Sequence, residues 1–105
     1  VTWIGDYPDA QNFLQLFAGE NVSPGPNRAN YRSEEFDRLY RELIALPESP
    51  EREELCRAAQ AVVLEDCPWI LTAHPMAFGV RHARLRNYRR HDFPWGMEKY
   101  WRVAE

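Results

Sequence analysis

The run Trp3-Ile4-Gly5-Asp6-Tyr7-Pro8-Asp9, followed by Asn12-Phe13, places a lone carboxylate behind a tryptophan and a glycine and just ahead of a Pro-Asp turn. In an extended segment Trp3 and Gly5 share one side and Asp6 points to the other. A glycine beside the acid lets another backbone approach. Such a segment offers a wall, free backbone groups and a negative charge to a bound cation. The ordinary reading of Asp6 is a turn or cap residue. Asp9, however, already serves as the cap of the helix that follows, which leaves Asp6 spare.

Other residues with chemical potential have simpler readings. His74, His82 and His91 match no metal-ligand spacing. Cys56 lies toward the apolar side of a helix and Cys67 at a helix C-terminus, and neither has the basic neighbour or helix N-terminus that activates a thiol. On one continuous helix their Cα atoms lie ~16 Å apart, too far for a disulfide. Arg81, Arg84, Arg86, Arg89 and Arg90 interleave with Leu85 and Tyr88, a pattern compatible with phosphate contact and base stacking. The slightly acidic chain has no nucleic-acid motif, so this stretch reads as a solvated surface segment. The pairs Glu34/Arg38 and Glu53/Arg57 stand at helical i, i+4 spacing and read as surface ion pairs. No catalytic constellation, metal site or cofactor motif is found.

The elements that must position Asp6 follow from hydrophobic periodicity. Residues 1–5 read as a short strand. Asp9 caps a short helix reaching about Ala18, with Phe13, Leu14 and Phe17 on one face, and Gly19 ends it. Glu20–Ala29 is a loop. Ser33 caps a helix whose apolar face is Phe36, Leu39, Tyr40, Leu43 and Ile44, and Pro47 stops it. Ser49-Pro50 starts a second long helix, with Leu55, Ala58, Ala59, Val62 and Val63 inward, ending near Pro68. Trp69–Ala73 reads as a buried strand that Met76–Val80 continues or restarts. Tyr100–Val103 reads as a terminal strand.

The 105 residues suit one domain or part of one, and 45 % hydrophobic with 13 % aromatic content is ample for a packed core. The net charge of −3 points to no partner class. It is unevenly spread: residues 33–66 carry ten acids against four arginines, and residues 81–91 carry five arginines and no acid. No apolar stretch approaches the ~18–20 residues of a membrane span. Val1 in place of Met, with no signal-peptide pattern after it, reads as a mature or truncated piece, which leaves the compartment open.

Four further motifs follow the opening run in order: Asn30-Tyr31, the helix start Ser33-x-Glu35-Phe36-Asp37-x-Leu39, Glu51-Arg52 with Leu55, and Glu65-Asp66-x-Pro68. Through them the chain resembles the C-terminal part of the extracellular solute-binding proteins of family 5, the oligopeptide-, dipeptide- and nickel-binding components of ABC importers. Ala10 departs from the pattern, since many members carry a second proline there.

The resemblance implies a two-lobed α/β periplasmic-binding-protein (type II) architecture. This chain would be an α+β fragment of it, two long amphipathic helices plus short strands. Residues 1–78 would form the C-terminal part of the second lobe. Residues 79–105 would return to the first, with the crossing near His74–Val80. It further implies a binding protein with no catalytic residues, metal or cofactor, periplasmic or otherwise extracytoplasmic and not membrane-spanning. The implied partners are a small-molecule or peptide ligand and ABC permease subunits, with no nucleic acid. In peptide-binding members the acid matching Asp6 pairs with the ligand's α-ammonium, and the residues matching Trp3, Ile4 and Gly5 run beside the peptide backbone. As a fragment the chain is expected to expose strand edges and apolar faces that dimerisation would cover. The alternative from another class is a self-standing helical protein–protein interaction module.

Overall fold

Local capping explains the two long helices. The computed structural model describes residues 3–74, 76, 78–89 and 96–104. After a single turn of helix α1 (Gln11–Leu14) come α2 (Glu34–Ala45) and α3 (Pro50–Asp66). The Ser33 hydroxyl accepts the Phe36 N–H at 3.3 Å and that of Ser49 accepts the Arg52 N–H at 3.2 Å. Each hydroxyl satisfies one donor that a helix start leaves open. Pro50 opens α3 where its missing N–H costs nothing. Cys67 ends α3 in the left-handed region, φ 46°, and its N–H donates to the Val63 carbonyl.

The described residues fall into two compact units, divided between Leu71 and Thr72. In the first, α2 packs along α3, and the core gathers Leu14, Leu16, Phe17, Phe36, Leu39, Tyr40, Leu43, Cys56, Ala59 and Val63. Phe17 meets Phe36 edge-on at 6.2 Å and Trp69 at 4.8 Å between ring centroids. Such aromatic pairs add to the burial energy. In the second unit β1 (Leu85–Arg86) pairs antiparallel with β2 (Arg102–Val103), Leu85 facing Val103. Tyr88 packs on Trp101 at 5.2 Å, and the Arg81 guanidinium lies 5.1 Å from the Tyr88 ring centroid.

Several expectations need correction. Residues 3–5 form no strand; residues 1 and 2 lie outside the described set. The first helix is one α turn followed by a 3₁₀ turn, Gln15–Phe17, and Ala18 turns extended before Gly19 is reached. Leu14 and Phe17 are buried as expected, Leu16 joins them, and Phe13 is exposed. Gly19 opens another 3₁₀ turn, Gly19–Asn21. Its N–H donates to Asp37 Oδ1 at 2.8 Å, and a Cβ there would lie 2.5 Å from Asp37 Oδ2. Glycine is needed for that approach, not as a helix cap.

Ile44 and Ala58 fall at the edges of their predicted faces and are exposed. Trp69–Ala73 forms no strand, and Ile70 and Leu71 are exposed. Among the described residues no second strand pairs with it, and periodicity does not report whether a partner is at hand. Met76, Phe78 and Val80 are likewise exposed; Pro75 and Ala77 lie outside the described set. The terminal strand is shorter than expected, because Tyr100 belongs to a 3₁₀ turn, Met97–Tyr100. Arg38 pairs with Glu42 at 3.0 Å instead of Glu34, while Glu53 and Arg57 pair as expected.

Two side chains join the helices end to end. Arg52 Nε donates to the Leu43 carbonyl at 3.1 Å, near the C-terminus of α2, and Nη2 reaches both Asp9 carboxylate oxygens at 3.0 Å. At the other end of α3 the Tyr31 hydroxyl donates to Asp66. Burial pushes the Asp9 carboxyl up, but the Gln11 N–H and Arg52 outweigh it and hold it below the ordinary carboxylate range. A carboxyl lowered on folding stabilises the native state above its unfolded value of about 4, and that contribution is lost as pH falls through the native value.

Asp9→Asn should therefore cost about 1–2 kcal/mol at pH 7, and urea denaturation should show the gap closing toward pH 2. A second test addresses the register of α2. Leu43 is fully buried and Ile44 is 43 % exposed. Leu43→Ala should cost about 2–5 kcal/mol and Ile44→Ala less than about 1 kcal/mol in the same assay.

Candidate functional site

Asn12 organises the opening run. It sits in α1 with no exposed surface. Its Oδ1 accepts the Trp3 indole N–H at 2.8 Å and the Asp6 backbone N–H at 3.2 Å. Its Nδ2 donates to Asp6 Oδ2 at 3.3 Å. One buried amide therefore holds the tryptophan and both the backbone and the carboxylate of the acid. An Asn at this depth is tolerated only because its polar atoms are paired. α1 is itself fixed from behind: Asp9 Oδ1 accepts the Gln11 N–H at 2.8 Å while Arg52 holds the same carboxylate.

Of the predicted site residues, Asp6 is exposed, Ile4 is exposed, Trp3 is half-buried and Gly5 is buried. Asp6 and Trp3 are brought together through Asn12, and Ile4 takes no part in that linkage. Among the described residues no Lys or Arg forms an ion pair with Asp6. The result is an exposed carboxylate on a pinned turn, with its charge uncompensated within the described set. Chemically, such a group binds a cation by charge-assisted hydrogen bonds.

Sequence reasoning placed Asn12 in the motif without giving it a role. No spacing signal marks it: its burial and its bonds to Trp3 and Asp6 exist only in the fold. Arg52 was likewise noted only as part of a motif. Its partner Asp9 lies 43 residues away, beyond any local spacing rule.

Among the described residues no group of three His, Cys, Asp or Glu side chains could hold a metal ion; His91 lies outside that set, as does Arg90. Arg81 donates to the Tyr88 carbonyl at 3.0 Å while stacking on its ring. Among the described residues no helix is long and apolar enough to cross a membrane.

The chain is 33 % identical over 102 residues to heme-binding protein A of Haemophilus influenzae. It is 34 % identical over 89 residues to di/tripeptide-binding protein 2 of Pseudomonas aeruginosa. Over 66 residues it is 30 % identical to the oligopeptide-binding protein OppA of Bacillus subtilis. These alignments cover 97 %, 84 % and 63 % of the chain. The chain belongs to the extracellular solute-binding proteins of family 5. It spans 18 %, 17 % and 12 % of the length of those three relatives. Each is named for what it binds, none for a reaction. No family model matches the chain. No solved structure matches it either.

Both cysteines are free, Cys56 buried and Cys67 exposed. Burial pushes the Cys56 thiol up, against the opposing charge of Arg52. A raised, covered thiol is unreactive. A thiol-specific reagent at pH 8 should label Cys67 in the native protein and reach Cys56 only after denaturation. Equal labelling rates would contradict this placement.

Proposed function

We propose that this chain is the C-terminal portion of the substrate-binding component of an ABC importer, which captures short peptides or related ammonium-bearing solutes outside the cytoplasmic membrane. Asp6 is the observation that carries the reading. It is an exposed carboxylate, fixed by a buried amide, on a segment flanked by a tryptophan and a glycine. A ligand ammonium desolvated in a closed cleft needs a fixed counter-charge. Main-chain hydrogen bonds to an adjoining extended segment bind peptides irrespective of their side chains. The relatives named for di/tripeptide and oligopeptide binding support this ligand class.

In this reading Trp3, Ile4, Gly5 and Asp6 form one wall of a cleft between two lobes. Residues 1–78 belong to the second lobe and residues 79–105 return to the first. The compact units divide between Leu71 and Thr72, seven residues before that boundary. The ligand bridges both walls and shifts the balance from open to closed, with no covalent chemistry. Membership of the family weighs against a self-standing helical interaction module. Dimerisation through exposed edges has no support among the described residues and forms no part of this reading.

The relative named for heme binding favours a second reading, in which the solute carries no ammonium. One comparison separates the two. In the full-length protein, Asp6→Asn preserves shape and removes the charge. It should weaken binding of a free-amino tripeptide by about 2–5 kcal/mol in calorimetry. Unchanged peptide affinity would overturn the assignment of Asp6, and hemin binding insensitive to Asp6→Asn would favour the second reading.

A further inference from the structure

The hydrogen bonds of Asn12 have a functional consequence beyond stability. Its Nδ2 occupies Asp6 Oδ2 from within the protein, whereas among the described residues no side chain bonds Asp6 Oδ1. Its Oδ1 holds the Asp6 backbone N–H and, by the same atom, the Trp3 indole. The amide is fully buried, so its orientation is set by these partners and not by water. Rotating or removing it would release the acid and the tryptophan together.

We infer that Asn12 is a positioning residue for ligand recognition: it fixes the direction of the Asp6 carboxylate toward a ligand cation, and it locks the Trp3 wall in register with that carboxylate. Oδ1, which no side chain bonds among the described residues, can accept from a primary ammonium, a compact point charge. The inference rests on the reading of Asp6 as the ammonium anchor and adds to it a named cause for its geometry. Nothing in the ligand need touch Asn12.

The test uses the full-length protein and two probes, trialanine and N-acetyl-trialanine, with calorimetry giving the ratio of their affinities. Asn12→Leu keeps approximate size and removes every hydrogen bond of the amide. A purely structural Asn12 predicts a lower melting temperature and equal weakening of both peptides. A positioning Asn12 predicts that preference for the free ammonium falls by about tenfold or more, since a hydrogen bond to a charged group contributes on that scale. Asp6→Asn is measured alongside, and so is the double variant. Once Asp6 has lost its charge, Asn12→Leu should alter the preference no further.

If Asp6→Asn leaves the preference intact, the anchor reading itself fails. If Asp6→Asn abolishes it and Asn12→Leu does not, the anchor stands and the positioning role is overturned. Should Asn12→Leu not fold, the unsubstituted protein still decides. The Trp3 indole proton, bonded to a buried amide, should exchange with deuterated water far more slowly than an exposed indole, and exchange at the solvent rate would overturn the inference.

Discussion

Arg52 is the interaction on which the first unit depends. Its backbone lies in the first turn of α3, its Nε closes an open carbonyl near the end of α2, and its Nη2 grips the carboxylate of Asp9. The ends of two successive helices and a turn 43 residues away thus meet on one planar group, which offers several donors in fixed directions. The Arg52 side chain is 13 % exposed, so the pair is screened less than the surface pairs along α2 and α3. Through Asp9 the restraint passes to the start of α1 and from there to Asn12. The pose of Asp6 is in this sense inherited from α3.

A polar ladder and an apolar core divide the labour. Burial of Phe36, Leu43 and Ala59 holds α2 against α3, and Leu14, Leu16 and Phe17 complete the same core. Directional contacts supply what packing does not. Asp37 receives the Gly19 N–H, and Asn27, fully buried, donates to the carbonyls of Ala18 and Tyr31. These bonds fix loops that carry little apolar surface of their own. The segment bearing Trp3 and Asp6 is held the same way.

What the sequence made legible was local. Ser33, Ser49 and Pro50 mark helix starts because capping needs only the next three residues, and α2 and α3 begin where those residues stand. The extent of α1 was not legible, since a change from α to 3₁₀ winding leaves no spacing signal. Nor was the state of Trp69–Ala73, because an apolar run shows that burial is favourable without showing what provides it. The motif Trp3 to Asp6 was legible as a candidate site. Asn12 and the Asp9–Arg52 link were not, since their roles come from three-dimensional neighbours.

The hydrogen bonds that shape the turn from Trp3 to Asn12 run between residues six and nine apart, whereas the link from Asp9 to Arg52 spans 43. Chain-closure entropy makes short loops cheap and long ones dear. The turn from Trp3 to Asn12 is thus a low-contact-order element. Its shape is encoded in about ten consecutive residues. Its placement in the protein is encoded elsewhere, so sequence change in α3 can re-aim the turn without redrawing it.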